Sequence, residues 1–451
     1  MFVRRQEVLA RAIDLFRVAE YSQARETIAQ PAIGTPTEAA ALAYLDGCLA
    51  RLLGETPPNT TIPRPDPRDP VADEAFYWNA YSLWLDRKLV EAHEVLRSHE
   101  PLTDYFRANF LLLRGWLFAA AGRLPEQTSV TIKALGSLLE SNESDDYLIA
   151  NASLALSALA REMPSSEAHR LLERALARLS EAKYAYTILH VRRALAQIEA
   201  LQGRYTTALR HLTFAGELAR EPVDRAFLHF DYALIATWAK QMQAAEAAFD
   251  VGRATIEHLD LENRKDESAW VLTVAAIAGA SIEPEAASAF AERAAAIIPN
   301  LSPRWAVNNG PRASALVEEA LALTTSDTDE AVALATSAGK TFESLGYLWR
   351  AGRLATHLHT LTGHTSYRRR AERLLEEYPD GPLALSDDPI NLPPRLREIL
   401  AMLSRGDTIE DIAFALSISP HTVRKHVSRL HARYHVSRRA QLLAKVGAAA
   451  S

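Results

Sequence analysis

Along the first 378 residues apolar side chains recur every three or four positions, and the two-residue alternation of a strand is scarce. The pattern predicts helices throughout, arranged in pairs. In "AQIEALQGRYTTALRHLTFAGELA" one periodic run stops at Gly203, an Arg-Tyr turn follows, and a second run begins with Ala208 at the corner. Comparable corners place Ala24, Ala92, Ala168, Ala245 and Ala286, and "AAAGRLPEQTSV" is a weaker copy with Gln127 in the alanine's place. Ala168, Ala208, Ala245 and Ala286 follow one another at 40, 37 and 41 residues, and Ala24 to Ala92 is 68, two steps of 34. A small residue belongs where paired helices approach closely. A single hairpin cannot bury its apolar face, so neighbours are expected to stack into a superhelix with a concave surface.

This repeat resembles tetratricopeptide-like domains, whose period is about 34 residues, although no copy carries the whole consensus. Two stretches break the helical pattern. "GETPPNTTIPRPDPRDPVADE", residues 54–74, is too rich in proline for a helix and reads as an extended loop. "YPDGPLALSDDPINLPPR", residues 378–395, divides the body from a short tail.

The tail is densely punctuated. "LPPRLREILAMLSRG" reads as a helix with proline near its start and Gly406 as its stop. Thr408 caps a second helix, with Asp411 as capping-box partner. Ser419 caps a third with Pro420 at its first position, and Ser437 caps a fourth. On the third helix Val423, Val427, Leu430 and Tyr434 share one face and are expected to pack inward. His421, Arg424, Lys425 and Ser428 share another and should point outward. A short helix, a tight turn and a helix with a basic first half form a helix-turn-helix, whose second helix lies in the DNA major groove. Arg424 suits guanine O6 and N7, and Thr422 with the helix N-terminus suits phosphate oxygens.

At these residues the tail resembles the LuxR-type DNA-binding domain. Leu392, Pro394, Arg395, Arg397, Glu398 and Leu400 match its opening, then Gly406, Ile412 and Ala413. Ile418, Ser419, Thr422, Val423 and His426 follow, and Val436, Ser437 and Arg439 close it. Ile409 and His435 depart, standing where the family often has Asn and Gly. The resemblance implies base contacts from Arg424, Lys425 and Ser428. It implies backbone contacts from Thr422 and Arg433, with Thr408, His421 and Arg439 expected beside them. It also implies dimerisation through the fourth helix, using Leu442, Leu443 and Val446.

Charge sharpens this division. From Asn391 onward there are ten Lys or Arg and four Asp or Glu, a local +6, so a chain of net −6 carries −12 before that point. A basic tail on an acidic body points to a polyanion at that end alone. Cys48, the single cysteine, leaves no disulfide framework and fits a reducing cytoplasm. The N-terminus reads as an amphipathic helix and not a signal peptide. The longest apolar run falls short of the roughly 20 residues a membrane span needs.

Other motifs lead elsewhere. Gly339-Lys340-Thr341 resembles the end of a phosphate loop, but Leu334 stands where its first glycine belongs and the surroundings read as helix. His357, His359, His364, His431 and His435 lack companion ligands for a metal. Arg368 to Arg370 read as a solvated helix face. Trp78, Trp84, Trp116, Trp238 and Trp270 suit repeat cores, with a ligand groove as the alternative. The chain is therefore expected to be all-α. Residues 1–378 would form a tetratricopeptide-like sensor or interaction domain, 379–391 a linker and 392–451 a four-helix LuxR-type domain. The expected function is transcription regulation on double-stranded DNA, as a cytoplasmic homodimer. Control is expected from a peptide, protein or small-molecule effector on the body, with no cofactor, metal, membrane partner or catalysis. The rival reading is a repeat scaffold whose tail binds protein instead of DNA.

Overall fold

The computed structural model describes residues 3–30, 32–58, 61–141, 145–259, 265–300, 303–378, 381–383, 394–416, 418–433, 436 and 438–443. A short strand, β1 (Val3–Arg4), leads into α1 (Arg5–Arg17) and α2 (Tyr21–Ile28) and pairs in parallel with β2 (Ala32–Ile33). Next come α3 (Pro36–Leu52), α4 (Ala72–Leu85), α5 (Leu89–Ser98), α6 (Asp104–Ala120), α7 (Leu124–Glu140), α8 (Asp146–Ala160) and α9 (Ser166–Arg178). They are followed by α10 (Glu181–Leu201), α11 (Tyr205–Leu218), α12 (Pro222–Trp238), α13 (Met242–Glu257), α14 (Lys265–Gly279) and α15 (Pro284–Ile297). The body ends with α16 (Pro303–Thr324), α17 (Thr328–Leu345), α18 (Leu348–Thr362) and α19 (Thr365–Leu374), and the tail holds α20 (Pro394–Ser404), α21 (Ile409–Ala415) and α22 (Pro420–Arg433). The fold class is the expected one, all-α helical hairpins followed by a helix-turn-helix. The linker expected at 379–391 lies outside the described residues except at 381–383.

Six hairpin corners share one backbone solution. A residue in the left-handed region ends the first helix: Ala19, Arg87, Gly122, Gly203, Lys240 or Gly346. The next residue donates its N–H back five positions, as in Arg204 to Glu199 O at 2.9 Å and Tyr347 to Phe342 O at 2.8 Å. That bond closes a Schellman motif. The carbonyl of the same residue then accepts the first bond of the following helix, as in Ala208 N to Arg204 O and Ala245 N to Gln241 O. One residue thus closes one helix and opens the next. The fifth residue after the left-handed one lies where the two helices meet, which is why Ala24, Ala92, Ala208 and Ala245 are completely buried.

The same rule finds a corner alanine that periodicity did not, Ala351, also fully buried. It also corrects one. Ala286 is half-buried, and the buried corner residue is Ala287, whose N–H bonds to Glu283 O. No left-handed residue precedes that corner to set the register. At Ala168 a third solution appears, with Ser165 Oγ accepting from Ala168 N at 3.1 Å. From there Ala168, Leu171, Leu172 and Ala175 line one buried stripe of α9, and each leucine contributes about 1.5–3 kcal/mol by leaving water.

The described chain divides into two compact units. One contains Met1–Leu195, Thr213–Glu221 and Ile298–Arg312; the other contains Ala196–Leu212, Pro222–Ile297 and Ala313–Ser451. In the first, α4 packs on α5 and α6, and α6 on α7. Phe106, Phe110 and Leu113 form a core with Leu96. In the second, α12 packs on α13 and α14, and Phe230, Phe249 and Phe290 meet edge to face. Gly279 is required there, because a Cβ on it would come within 2.6 Å of the Phe249 ring.

The motifs set aside earlier have structural partners. Gly339-Lys340-Thr341 lies inside α17, with Gly339 buried. His357 Nε2 donates to the Ala322 carbonyl, 3.0 Å away, and burial holds its pKa below the ordinary histidine value. Arg368 and Arg370 pair with Glu372 and Glu343. Among the described residues no helix is long and apolar enough to cross a membrane.

The corner geometry has a direct test. Gly203→Ala places a Cβ at φ +77° and should lower unfolding stability by about 1 kcal/mol. Lys240→Gly at the equivalent position should raise it by less, since the unfolded chain also gains freedom. Urea unfolding midpoints of the two variants check both signs.

Candidate nucleic-acid interface

The tail folds around its own small core. Ile399, Leu400 and Leu403 of α20, Ile412 and Ala413 of α21, Val423 and Leu430 of α22, and Leu442 make one buried cluster. The local signals explain the elements. Gly406 at φ +99° ends the turn after α20. Thr408 and Asp411 form a reciprocal capping box, with Thr408 Oγ1 accepting from Asp411 N at 3.2 Å and Thr408 N donating to Asp411 Oδ2 at 3.0 Å. The Thr408 hydroxyl and backbone hold the Asp411 carboxyl below the usual carboxylate range. Ser419 Oγ accepts from Thr422 N at 3.1 Å and so starts α22.

Packing decides which face of α22 is free. Val423 and Leu430 are fully buried and Val427 packs beside them. His421, Arg424 and Ser428 are exposed and Thr422 is half-buried. The helix therefore presents its polar face to solvent, as the spacing predicts. Backbone positions of Lys425 and Arg433 fall on α22, but their side chains lie outside the described residues, as do Tyr434, His435, Ser437 and Val446.

Several site residues have engagements that spacing does not reveal. Arg424 Nη2 meets Glu410 Oε1 of α21 at 3.3 Å, with both side chains more than 60% exposed. The Thr408 hydroxyl donates to Asp411 at 2.6 Å. The Thr422 hydroxyl lies 2.8 Å from Ser419 Oγ. Arg439 is half-buried and donates from Nη2 to the Leu403 carbonyl at 2.6 Å, tying residues 439–443 to α20. Leu442 is completely buried in the tail's own core and Leu443 packs against it. The small core formed by α20, α21 and α22 is completed by Leu442, which therefore serves the domain's interior. Phe414, 90% exposed on α21, went unremarked in the sequence because a single aromatic in a short helix carries no periodic signal.

The sequence profile described as "Bacterial regulatory proteins, luxR family" matches residues 391–446. No curated protein matches the chain. Among solved structures, the Rap protein complexed with competence and sporulation factor aligns at 14% identity and a TM-score of 0.52, covering 83% of this chain and 97% of that one. The APC/C hetero-tetramer Cut9–Hcn1 aligns at 14% identity and a TM-score of 0.45, covering 99% and 86%. At such identity the Rap likeness is one of fold, and it agrees with stacked helical hairpins. With a closed helix-turn-helix core, an exposed polar face and the profile match in hand, the chain carries at residues 391–446 the DNA-binding domain of the LuxR family of bacterial regulatory proteins, behind a tetratricopeptide-like body.

Proposed function

We propose that this protein is a cytoplasmic transcription regulator that reads an operator through α22 as a homodimer, under control of an effector held by the helical-repeat body. The observation that carries the reading is the sidedness of α22: Val423 and Leu430 lie on the buried face, while His421, Arg424 and Ser428 stand in solvent. Arg424, Lys425 and Ser428 are assigned to base edges. Thr408, His421, Thr422, Arg433 and Arg439 are assigned to phosphates, with Arg439 contributing donors beyond the one on Leu403. One recognition helix spans few base pairs, so useful selectivity calls for two half-sites about one helical turn apart. The dimer contact is assigned to the last helix through Leu443 and Val446, since Leu442 is enclosed.

Footprinting with genomic fragments tests the proposal. Sequence-selective protection in paired half-sites supports it, whereas a tail that ignores duplex DNA in dilute salt returns the chain to the scaffold reading. On a protected operator, Arg424→Ala should weaken binding by about 1–3 kcal/mol and relax preference at one base position. Glu410→Gln should act in the other direction. It frees Arg424 and removes a negative charge beside it, so affinity should rise by up to about fivefold with unchanged base preference, the range of an exposed ion pair. Gel-shift titrations of both variants on operator and scrambled DNA read these outcomes.

A further inference from the structure

The first unit contains an open-mouthed cavity of about 910 Å³ that the tail does not use. Its walls come from α1, α4, α6 and α8 and the end of α7. The size suits a drug-sized molecule or a few residues of peptide. Three features of the wall concern charge.

Aromatic side chains make up much of the lining, among them Tyr77, Trp78, Tyr81, Tyr105, Trp116 and Tyr147. Tyr81 lies 5.8 Å from Trp78 and 6.0 Å from Trp116, centroid to centroid. Aromatic faces attract cations, more strongly where water is excluded. Carboxylates outnumber cations in the same wall, with Asp14, Asp73, Glu74, Asp104 and Asp145 against Arg17.

The wall already holds one cation. The Arg17 guanidinium lies 5.6 Å from the ring centroids of both Tyr105 and Tyr147. It donates to the Tyr105 hydroxyl and lies 3.3 Å from Asp145 Oδ2 and 3.6 Å from Asp14 Oδ1. The chain's own arginine therefore shows what this chemistry accepts.

Elsewhere the wall is unsatisfied. Asp73 is buried but fully engaged, accepting from Leu102 N and Thr103 N at 3.0 and 3.1 Å and lying 2.7 Å from His99 Nε2. Its neighbour Glu74 is different. Glu74 Oε2 is enclosed without a hydrogen-bond partner among the described residues, and so is Nε1 of Trp78, which is 4% exposed. Buried polar atoms are almost always paired, so two orphans on residues that line one cavity leave hydrogen-bonding capacity that a ligand seated there would take up once those side chains turn toward it. Burial, with the nearby charges of Asp73 and Asp69, pushes the Glu74 carboxyl up to about 7, and a cation alongside would restore its charge.

We infer that this cavity binds an organic cation, a protonated amine or guanidine on an aromatic or aliphatic body, with Glu74 as counter-ion and Trp78 Nε1 donating to a polar group of the ligand. Its service as the effector site rests on the regulatory reading above; the binding itself does not. The cation could arrive as a free amine or as the basic side chain of a short peptide, and the probes separate these sources.

Calorimetric titration of the full chain at pH 8 uses tryptamine, the isosteric anion 3-indolepropionate and the dipeptide amide Phe-Arg-NH2. At least one cation should bind, and more than tenfold tighter than the anion; whichever cation is tighter identifies the source. Glu74→Gln should weaken that cation about tenfold, while Arg17→Gln, which removes the competing charge, should strengthen it several-fold. Unchanged thermal unfolding identifies the first loss as local, and a gain in the second cannot come from misfolding. The inference is overturned if the anion binds as well as the cations, if none of the three binds at millimolar concentration, or if Glu74→Gln leaves affinity unchanged. Adding the bound cation to an operator gel shift separates the two levels. An unmoved shift removes the effector role and leaves the site, and an absent shift removes the regulator reading alone.

Discussion

The body of this protein depends on corners at which one residue both closes a helix and opens the next. The left-handed residue turns the chain, the following N–H closes the Schellman bond, and that residue's carbonyl starts the second helix. The turn residues themselves, such as Arg87, Lys88, Gly122 and Arg123, stay exposed. The helices then meet within a turn of the corner, where only a small side chain fits, and Ala24, Ala92, Ala208, Ala245 and Ala351 fill that place without exposure. Gln127 occupies the corresponding position after Gly122 and is only half-buried there. The rule concerns space and hydrogen bonds. It tolerates different residues wherever both conditions are met.

Much of this is legible in the sequence, for identifiable reasons. Gly203 marks its corner because glycine is the usual left-handed residue, whereas Ala19, Arg87 and Lys240 adopt that conformation without a compositional sign. Ala286 is displaced by one because "ASIEPEAASAF" offers several alanines and no glycine to choose among them. The starts and stops of α20, α21 and α22 read directly, since Gly406, Thr408, Asp411, Ser419 and Pro420 act on atoms at most three residues away. What escapes is long-range. The partners of Arg424 and Arg439 lie 14 and 36 residues away on other helices. The cavity draws Arg17, Trp78, Tyr105 and Tyr147 from four elements, so no window of sequence contains it. Trp78 and Trp116 line it, while Trp84 packs against Trp116 and Trp238 against Trp349, so the tryptophans divide between groove and core.

Two arginine–glutamate sites show how environment sorts structure from function. Arg350 binds the fully buried Glu319 at 2.8 Å, with Arg353 3.5 Å away on the same carboxylate. Removing one member of such a group strands a charge and costs about 3–5 kcal/mol, so the packing of α16 on α18 is held in one arrangement. The Arg424–Glu410 pair is exposed on both sides, and such a pair is worth about 1 kcal/mol or less. A guanine contact contributes about 1–3 kcal/mol. If Arg424 reads a guanine as proposed, the exchange favours DNA, and the pair would hold the residue in place without retaining it.

The division of charge sets what the body can do to the tail. A body of −12 beside a tail of +6 discourages DNA from approaching anywhere except the tail. At physiological salt that influence fades over about 8 Å, the Debye length. A bound monocation would change the body's charge by one part in twelve, too little and too screened to alter a helix-turn-helix by field alone. The coupling proposed above would instead travel through packing. The cavity is bounded by helices from four successive hairpins, which touch through apolar faces, so a ligand drawn to Glu74 and the aromatic wall would favour whichever packing of α1, α4, α6 and α8 fits it. A typical coupling of about 1–3 kcal/mol would suffice to shift the population of DNA-competent dimers. On the proposed reading, the body's acidity would decide where DNA binds, and the shape of its hairpin stack would decide when.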